Sequence, residues 1–118
     1  MSGISWTKLQ QLLAPSLDLG FSAYLSTDNT AAPGTLIRAT TASKIAVVTD
    51  LIVYNAAAAA AVITFYDEDS TVMAQFKVGA LETVVLTLTA GLRFDDVDAY
   101  VRTDQATNAD VTIAGVED

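Results

Sequence analysis

Residues 71–78 read TVMAQFKV and residues 83–89 read TVVLTLT, and these two tracts decide the fold class. In both, apolar side chains recur at every second position, from Val72 to Val78 and from Val84 to Leu88. A β-strand places successive side chains on opposite faces of its sheet, so a period of two predicts strands with one face turned to a core.

The same pattern recurs along the chain between turn signals. Asp67–Ser70, Pro33-Gly34, Gly91 and Asp95-Asp96 have the residue types that favour tight turns. The predicted strands cover residues 21–26, 36–41, 44–54, 62–66, 71–78, 83–89, a short tract at 92–94, 99–103 and 111–116. Turns every 8 to 12 residues are typical of sandwiches and barrels, and about eight strands fit a jelly roll. We predict an all-β fold, an eight-stranded antiparallel β-sandwich, jelly-roll-like, over residues 21–118.

The longest predicted strand covers residues 44–54 and is apolar on both faces. A period of two places Val47, Leu51 and Val53 on one face and Val48, Ile52 and Tyr54 on the other. Strands that are apolar on both faces are central in a sheet or have a covered outer face.

Six alanines, Ala56–Ala61, follow Asn55 and are ambiguous by composition. Alanine favours helix, but so short a run between two β-branched strands cannot nucleate a stable one. We predict a loop that leads into the strand at Val62. An exposed alanine loop would be an apolar patch, so Ala56, Ala57 and Ala58 are candidate interface residues unless the sandwich itself buries them.

Residues 1–20 differ from the remainder and form a predicted N-terminal arm. Apolar residues recur there at helical spacing: Trp6, Leu9, Leu12 and Leu13. This spacing predicts a short amphipathic helix over residues 5–13, which Pro15 limits. A two-turn helix is marginal alone and must dock its apolar stripe, either on its own domain or on a neighbouring subunit. The four apolar residues are therefore candidate interface anchors.

Composition excludes several classes of function. The 118 residues contain no His and no Cys, which removes the common nucleophile–base pairs and thiolate metal sites. Six basic and fourteen acidic residues give a net charge of −8, so we expect neither nucleic-acid nor membrane-surface binding. No signal peptide or membrane-spanning run is visible, and we expect a protein that is not secreted.

The acidic residues cluster in two predicted turns, Asp67–Asp69 and Asp95–Asp98. Such carboxylates can bind Ca²⁺, or serve as a glycosidase pair when they face each other across a cleft. Asp also adopts turn geometry readily, and neither turn has the spacing of a calcium loop. We expect solvated turns, no metal site, no cofactor and no enzymatic activity.

A different function is offered by Trp6 and the four tyrosines Tyr24, Tyr54, Tyr66 and Tyr100. Tyrosines on a sheet can stack on sugars, as in carbohydrate-binding sandwiches, although strand tyrosines more often pack against cross-strand neighbours. A carbohydrate-binding or adhesin module is therefore the alternative to a protein that binds other proteins.

The order of tracts after residue 35 carries a family resemblance. An apolar strand ending in Asn leads through a small-residue loop, a strand, an acidic turn, two further strands and a Gly-Leu turn to a final strand ending in Gly-Val-Glu. The tracts are Leu51–Asn55, Ala56–Ala61, Val62–Tyr66, Asp67–Ser70, Val72–Val78, Val84–Thr89, Gly91-Leu92 and Ile113–Glu117. This order resembles small structural proteins of tailed bacteriophages.

The resemblance implies a non-enzymatic β-sandwich component of the virion, assembled in the host cytoplasm. Such a component would be a capsid decoration protein, a head-fibre or spike base, or a tail accessory. It would bind as a homo-oligomer to the major capsid protein or to another virion protein.

Because the acidic turns lack a complete ligand set, we predict that EDTA leaves the melting temperature unchanged. Thermal unfolding with EDTA, and again with added Ca²⁺, checks this. A melting temperature that drops by several degrees on chelation and recovers with Ca²⁺ would reveal a metal site.

Overall fold

The computed structural model describes residues 20–118, which form eight β-strands and no helix. The strands are β1 (Gly20–Thr27), β2 (Thr35–Arg38), β3 (Ile45–Asn55), β4 (Ala61–Tyr66), β5 (Val72–Val78), β6 (Thr83–Asp95), β7 (Ala99–Thr103) and β8 (Ala109–Glu117). The predicted all-β class is confirmed for these residues. The arm predicted over residues 1–20, with its helix and four apolar anchors, lies outside them except for Gly20. In the described part of the chain, no helix has the length and apolar character needed to cross a membrane.

The strands form two four-stranded antiparallel sheets, which we call sheet A and sheet B. Sheet A has the order β1-β8-β3-β6 and sheet B the order β2-β7-β4-β5. The pairing is nested, because β1 pairs with β8, β2 with β7, β3 with β6 and β4 with β5. Each sheet therefore takes strands from both halves of the chain. The predicted central position of β3 is confirmed, since it lies between β8 and β6.

The inward faces of the two sheets share one hydrophobic core. Its largest fully buried side chains include Leu51 and Ile113 from sheet A and Ile63 and Phe65 from sheet B. Phe94 of β6 joins them and is fully buried. Burial of each such side chain contributes roughly 1.5–3 kcal/mol before ordering costs. Side chains from both sheets thus contribute to a single core.

An irregularity at Thr49 corrects the predicted faces of β3. Val48 and Leu51 are both buried, whereas Val47 is half-buried on the outer face. On β8, Gly115 pairs with Val48 and Ala114 pairs with Asp50, so Thr49 has no pairing partner on this strand. A β-bulge inserts one extra residue and changes which positions face the core. The simple period of two wrongly placed Val47 with Leu51.

The bulge also corrects the prediction of a turn at Gly91. On β6, Leu92 pairs with Val48 and Thr87 with Asp50, so Thr49 alone stands opposite residues 88–91. Gly91 has a φ of 72°, which L-residues rarely adopt. The glycine therefore does not separate two strands. It lets one long strand, β6, pass the bulge and continue to Asp95.

A smaller bulge lies on β5. Ala74 pairs with Phe65 and Val72 with Tyr66, so Met73 is the extra residue. Val72 is consequently turned outward and is 55% exposed, while Met73 packs against the core. The clean alternation predicted for this strand holds only from Ala74 onward.

The alanine run forms the predicted loop, and β4 begins at Ala61. Asn55 organises the loop, since its side chain is fully buried at the end of β3. Its Nδ2 donates to the carbonyl oxygens of Ala59, Val78 and Gly79 at 2.9, 3.2 and 3.1 Å, and its Oδ1 accepts from the Ala57 N–H at 2.9 Å. This buried amide fixes the loop to the turn between β5 and β6.

We predict that Gly115→Ala destabilises the domain by roughly 1–3 kcal/mol. A Cβ at this position would collide with the carbonyl oxygen of Val47, which is backbone and cannot move aside. Gly79→Ala is the matched control, because its Cβ would meet only the end of the flexible Glu82 side chain. Urea unfolding of both variants measures the difference. Equal stabilities would show that the strands at the bulge can separate at no cost.

Candidate docking surface

The outer face of sheet A exposes apolar side chains across the whole sheet. Tyr24 on β1, Ile52 on β3 and Val85 on β6 are 65%, 44% and 68% exposed. Thr112 of β8 lies between the first two, since it pairs with both Tyr24 and Ile52, and Ile52 in turn pairs with Val85. We call these four residues the apolar row. It runs at right angles to the strands and reaches both edges of the sheet.

A shallow open groove of about 450 Å³ lies beside the apolar row, towards the end of the sheet where β1 begins. It is lined by Gly20, Phe21, Ser22, Thr49, Asp50, Ala114, Gly115 and Val116. Most of these side chains are small, so the groove can admit bulky ones. Thr49 of the bulge is among the lining residues, and the irregularity that orders the core therefore also shapes the outer surface.

The groove carries negative charge. The carboxylate of Asp50 is held by two hydroxyls, with Thr49 Oγ1 donating to Oδ2 at 2.9 Å and Thr87 Oγ1 to Oδ1 at 3.2 Å. Both contacts are exposed to solvent. Asp110 pairs with Tyr54 on the far side of the apolar row. The surface thus combines apolar side chains with acidic groups on either side.

On the outer face of sheet B, exposed apolar side chains lie on the two edge strands, where Leu36 of β2 is 43% and Val72 of β5 is 55% exposed. The centre of this face is closed by polar side chains. Thr64 and Tyr66 of β4 are 0% and 6% exposed, although both point away from the core. Gln75 Nε2 donates to Thr64 Oγ1 at 3.1 Å, and Arg102 Nε donates to the Tyr66 hydroxyl at 2.9 Å. Arg102 also donates to the carbonyl of Thr30 at 2.8 Å. The two outer faces therefore differ at their centres, where sheet A exposes Ile52 and sheet B buries Tyr66.

The interface residues predicted from the sequence have different positions. The arm residues Trp6, Leu9, Leu12 and Leu13 lie outside the described residues. In the alanine loop, Ala56 is half-buried, Ala57 is buried and Ala58 is exposed. The carbonyl of Ala57 accepts the N–H of Leu81 at 3.1 Å, so this alanine is fixed within its own domain. Their role in an interface stays a prediction.

Sequence reasoning missed the apolar row. A signal was present, because Ile52 and Val85 lie at positions that alternate with core residues. The prediction placed Ile52 on the opposite face of its strand from Leu51 but did not join it to Val85. The register of the strands, which places Tyr24, Thr112, Ile52 and Val85 side by side, was needed for that.

The acidic turn residues bind backbone N–H groups. Asp67 Oδ1 accepts from the N–H groups of Asp69 and Thr71, both at 2.9 Å. Asp96 accepts from Ser43 at 2.7 Å, and Asp98 accepts from the N–H of Thr40 at 2.9 Å. Among residues 20–118, no three acidic side chains come together as a metal site would require. These carboxylates thus stabilise turns.

The four tyrosines do not share a platform. Tyr24 and Tyr54 lie on the outer face of sheet A, on strands separated by β8. Tyr66 and Tyr100 pair with each other on the outer face of sheet B, where Arg102 covers the Tyr66 ring at 5.9 Å. Stacking of one sugar chain on all four rings is therefore geometrically excluded.

A charged contact fixes the end of sheet A next to the groove. Glu117 of β8 accepts from Thr41 Oγ1 at 2.7 Å and from the Thr41 N–H at 3.1 Å, and it pairs with Arg38 at 3.1 Å. The Arg38 guanidinium lies 4.3 Å from the ring centre of Phe21, which lines the groove. The Thr41 hydrogen bonds, followed by the charge of Arg38, hold the pKa of Glu117 below its usual range.

Comparisons with known proteins yield weak structural similarities. No family model matches the chain, and no curated protein matches it. Among solved structures, PirA is 13% identical with a TM-score of 0.38 and covers 82% of this chain and 84% of its own. Procruciferin, an 11S globulin from Brassica napus, is 8% identical with a TM-score of 0.31 and covers 96% of this chain. A structure of the infectious bursal disease virus Gx strain is 10% identical with a TM-score of 0.31 and covers 83%.

This chain spans 23% of the procruciferin chain and 30% of the viral chain. With TM-scores below 0.5, these similarities define neither a family nor a function.

We predict that acid destabilises the wild type more than Glu117→Gln. The pKa of Glu117 is lowered on folding, so its contribution is present above its unfolded value and is lost as the pH falls below about 4. Between pH 6 and pH 3 the wild type should lose roughly 1 kcal/mol more than the variant. Glu82→Gln is the control, because its carboxylate accepts no hydrogen bond within residues 20–118. Urea unfolding at each pH measures this, and parallel profiles for all three proteins would contradict it.

Proposed function

We propose that this chain is a non-enzymatic structural protein of a virion, of the tailed-bacteriophage group that it resembles. It would assemble as a homo-oligomer and bind the major capsid protein or another virion protein. In that position it would decorate or stabilise the capsid, or form a head-fibre base, a spike base or a tail accessory. The observation that carries the proposal is the apolar row on the outer face of sheet A.

Exposed apolar side chains that lie side by side on one sheet can mark a site of protein association. Tyr24, Ile52 and Val85 lie on strands, so their spacing is fixed before any partner arrives. Charged residues make up only 17% of the chain, which is below the usual share. Burial of these side chains against a second protein would supply the driving force for association.

The nested strand pairing supports a finer description of the fold. The first strand pairs with the eighth, the second with the seventh, the third with the sixth and the fourth with the fifth. This arrangement results when one long antiparallel pair of strands folds over into two sheets. We propose that the domain is a jelly roll, a fold that occurs in viral capsid and lectin domains. This description concerns architecture alone and assigns no partner.

Mass spectrometry of gradient-purified particles would test the virion assignment. The expected result is this chain at a fixed copy number relative to the major capsid protein. Its absence from the particles would refute the assignment. A glycan array tests the alternative, a carbohydrate-binding or adhesin module. Such a module would bind specific sugars on the array, whereas a protein-binding component would not.

We predict that Val85→Lys weakens self-association at least tenfold, or by about 1.4 kcal/mol. A lysine in the apolar row places a charge where association would remove water. Val72→Lys is the matched control, because Val72 is an equally apolar residue, 55% exposed, on an edge strand of sheet B. Light scattering over a dilution series measures both. An equal effect of the two substitutions would show that sheet A is not the docking face.

A further inference from the structure

We infer that the groove on the outer face of sheet A receives the N-terminal segment, residues 1–19, of a second copy of this chain. The inference rests on the proposed function and names the partner of the same face. Its basis is where the segment begins, how long it is, and what the groove can admit.

The segment is attached at the edge of the groove. Gly20 is the first residue of β1, pairs with Val116 and lines the groove. The segment contains Trp6, Leu9, Leu12 and Leu13 at helical spacing, and these side chains need an apolar surface to cover them. The core of residues 20–118 is formed by side chains of the two sheets themselves. The open surface beside Gly20 is the groove and the adjoining apolar row.

The dimensions of the predicted helix match this surface. Nine helical residues, 5–13, extend about 13 Å along the axis. The four strands of sheet A are separated by three spacings of about 4.8 Å, which gives about 14 Å from β1 to β6. A helix laid across the strands would therefore contact all of them. Its large side chains would fill the groove above Ser22 and Ala114.

The proposed self-association selects the second copy. An arm that docks on the groove of its own copy would cover its apolar side chains without joining two copies. An arm that docks on a neighbouring groove would supply the apolar contact between subunits that a homo-oligomer needs.

Charge favours the same occupant. The predicted helix, residues 5–13, contains Lys8 and no acidic residue, whereas the groove contains the exposed carboxylate of Asp50. Two copies that meet through acidic sheet faces alone would repel each other. A helix that carries a lysine brings positive charge to that face.

Two variants of the 118-residue chain test the contact, one by changing the arm and the other by changing the groove. Leu9→Gln with Leu13→Gln removes apolar anchors from the arm and retains helix propensity. Ser22→Arg fills the groove from an exposed position on β1. Ser26→Arg is the control, with the same substitution on the same strand and the same outer face, but outside the groove. Ala114→Gln fills the groove from β8 and replaces Ser22→Arg if that variant melts at a lower temperature than Ser26→Arg.

Sedimentation or light scattering should show that each disabling change weakens self-association at least tenfold and that Ser26→Arg does not. An equimolar mixture of the two disabled variants should associate at least tenfold more tightly than either alone, because one intact arm meets one intact groove. Emission of Trp6, the only tryptophan in the chain, should shift to shorter wavelength as the mixture forms.

No gain on mixing would overturn the inference. Emission of Trp6 that depends on the groove but not on concentration would also overturn it, since the arm would then lie on its own copy. If Val85→Lys weakens association but the substitutions at Leu9, Leu13 and Ser22 do not, the inference fails and the proposed function stands. If the wild type does not associate at any concentration, the proposed self-association itself fails.

Discussion

The bulge at Thr49 is the constraint on which the remainder of the structure depends. β3 lies in the middle of sheet A and must bury both Val48 and Leu51, three positions apart, which a regular strand cannot do. An extra residue at Thr49 resolves the conflict. Both neighbours accommodate it with glycine: Gly115 on β8 allows the backbone of β3 to approach, and Gly91 on β6 adopts a φ of 72°. Without these, one half of β3 would turn its apolar side chains outward.

The same irregularity links the core to the surface. Thr49 is the extra residue of the bulge, so Thr49 and Asp50 both reach the outer face of sheet A. There they form one side of the groove. The groove is deepest over β8 because Ala114 has a small side chain and Gly115 has none. The bulge requires glycine at position 115. A surface shaped by core packing is rigid. Rigid surfaces lose less entropy on association than loops do, which is an advantage for a protein whose proposed role is to bind other proteins.

Much of the fold could be predicted from the sequence, because one period of two dominates it. The strands, the turn at Asp67, the loop after Asn55 and the all-β class all follow from alternation and turn chemistry. The errors lie where an extra residue changes that period: Val47 was assigned to the wrong face, and Gly91 was interpreted as a turn. A bulge is a property of paired strands, and a single strand's sequence does not reveal it. For the same reason the apolar row could not be predicted, since its residues become neighbours only through register.

The edges of the sheets bear on how copies can associate. Three of the four edge strands in the described part of the chain are interrupted: β2 near Ile37, β5 at Met73 and β6 at residues 88–91. Interrupted edges are poor templates for a neighbour's strand. β1 is the regular edge, with eight unbroken pairs to β8, and it carries Ser22 of the groove and Tyr24 of the apolar row. A segment that docks on the groove would therefore lie beside this one regular edge. The face that carries the groove therefore adjoins the one edge that remains open to pairing with another strand.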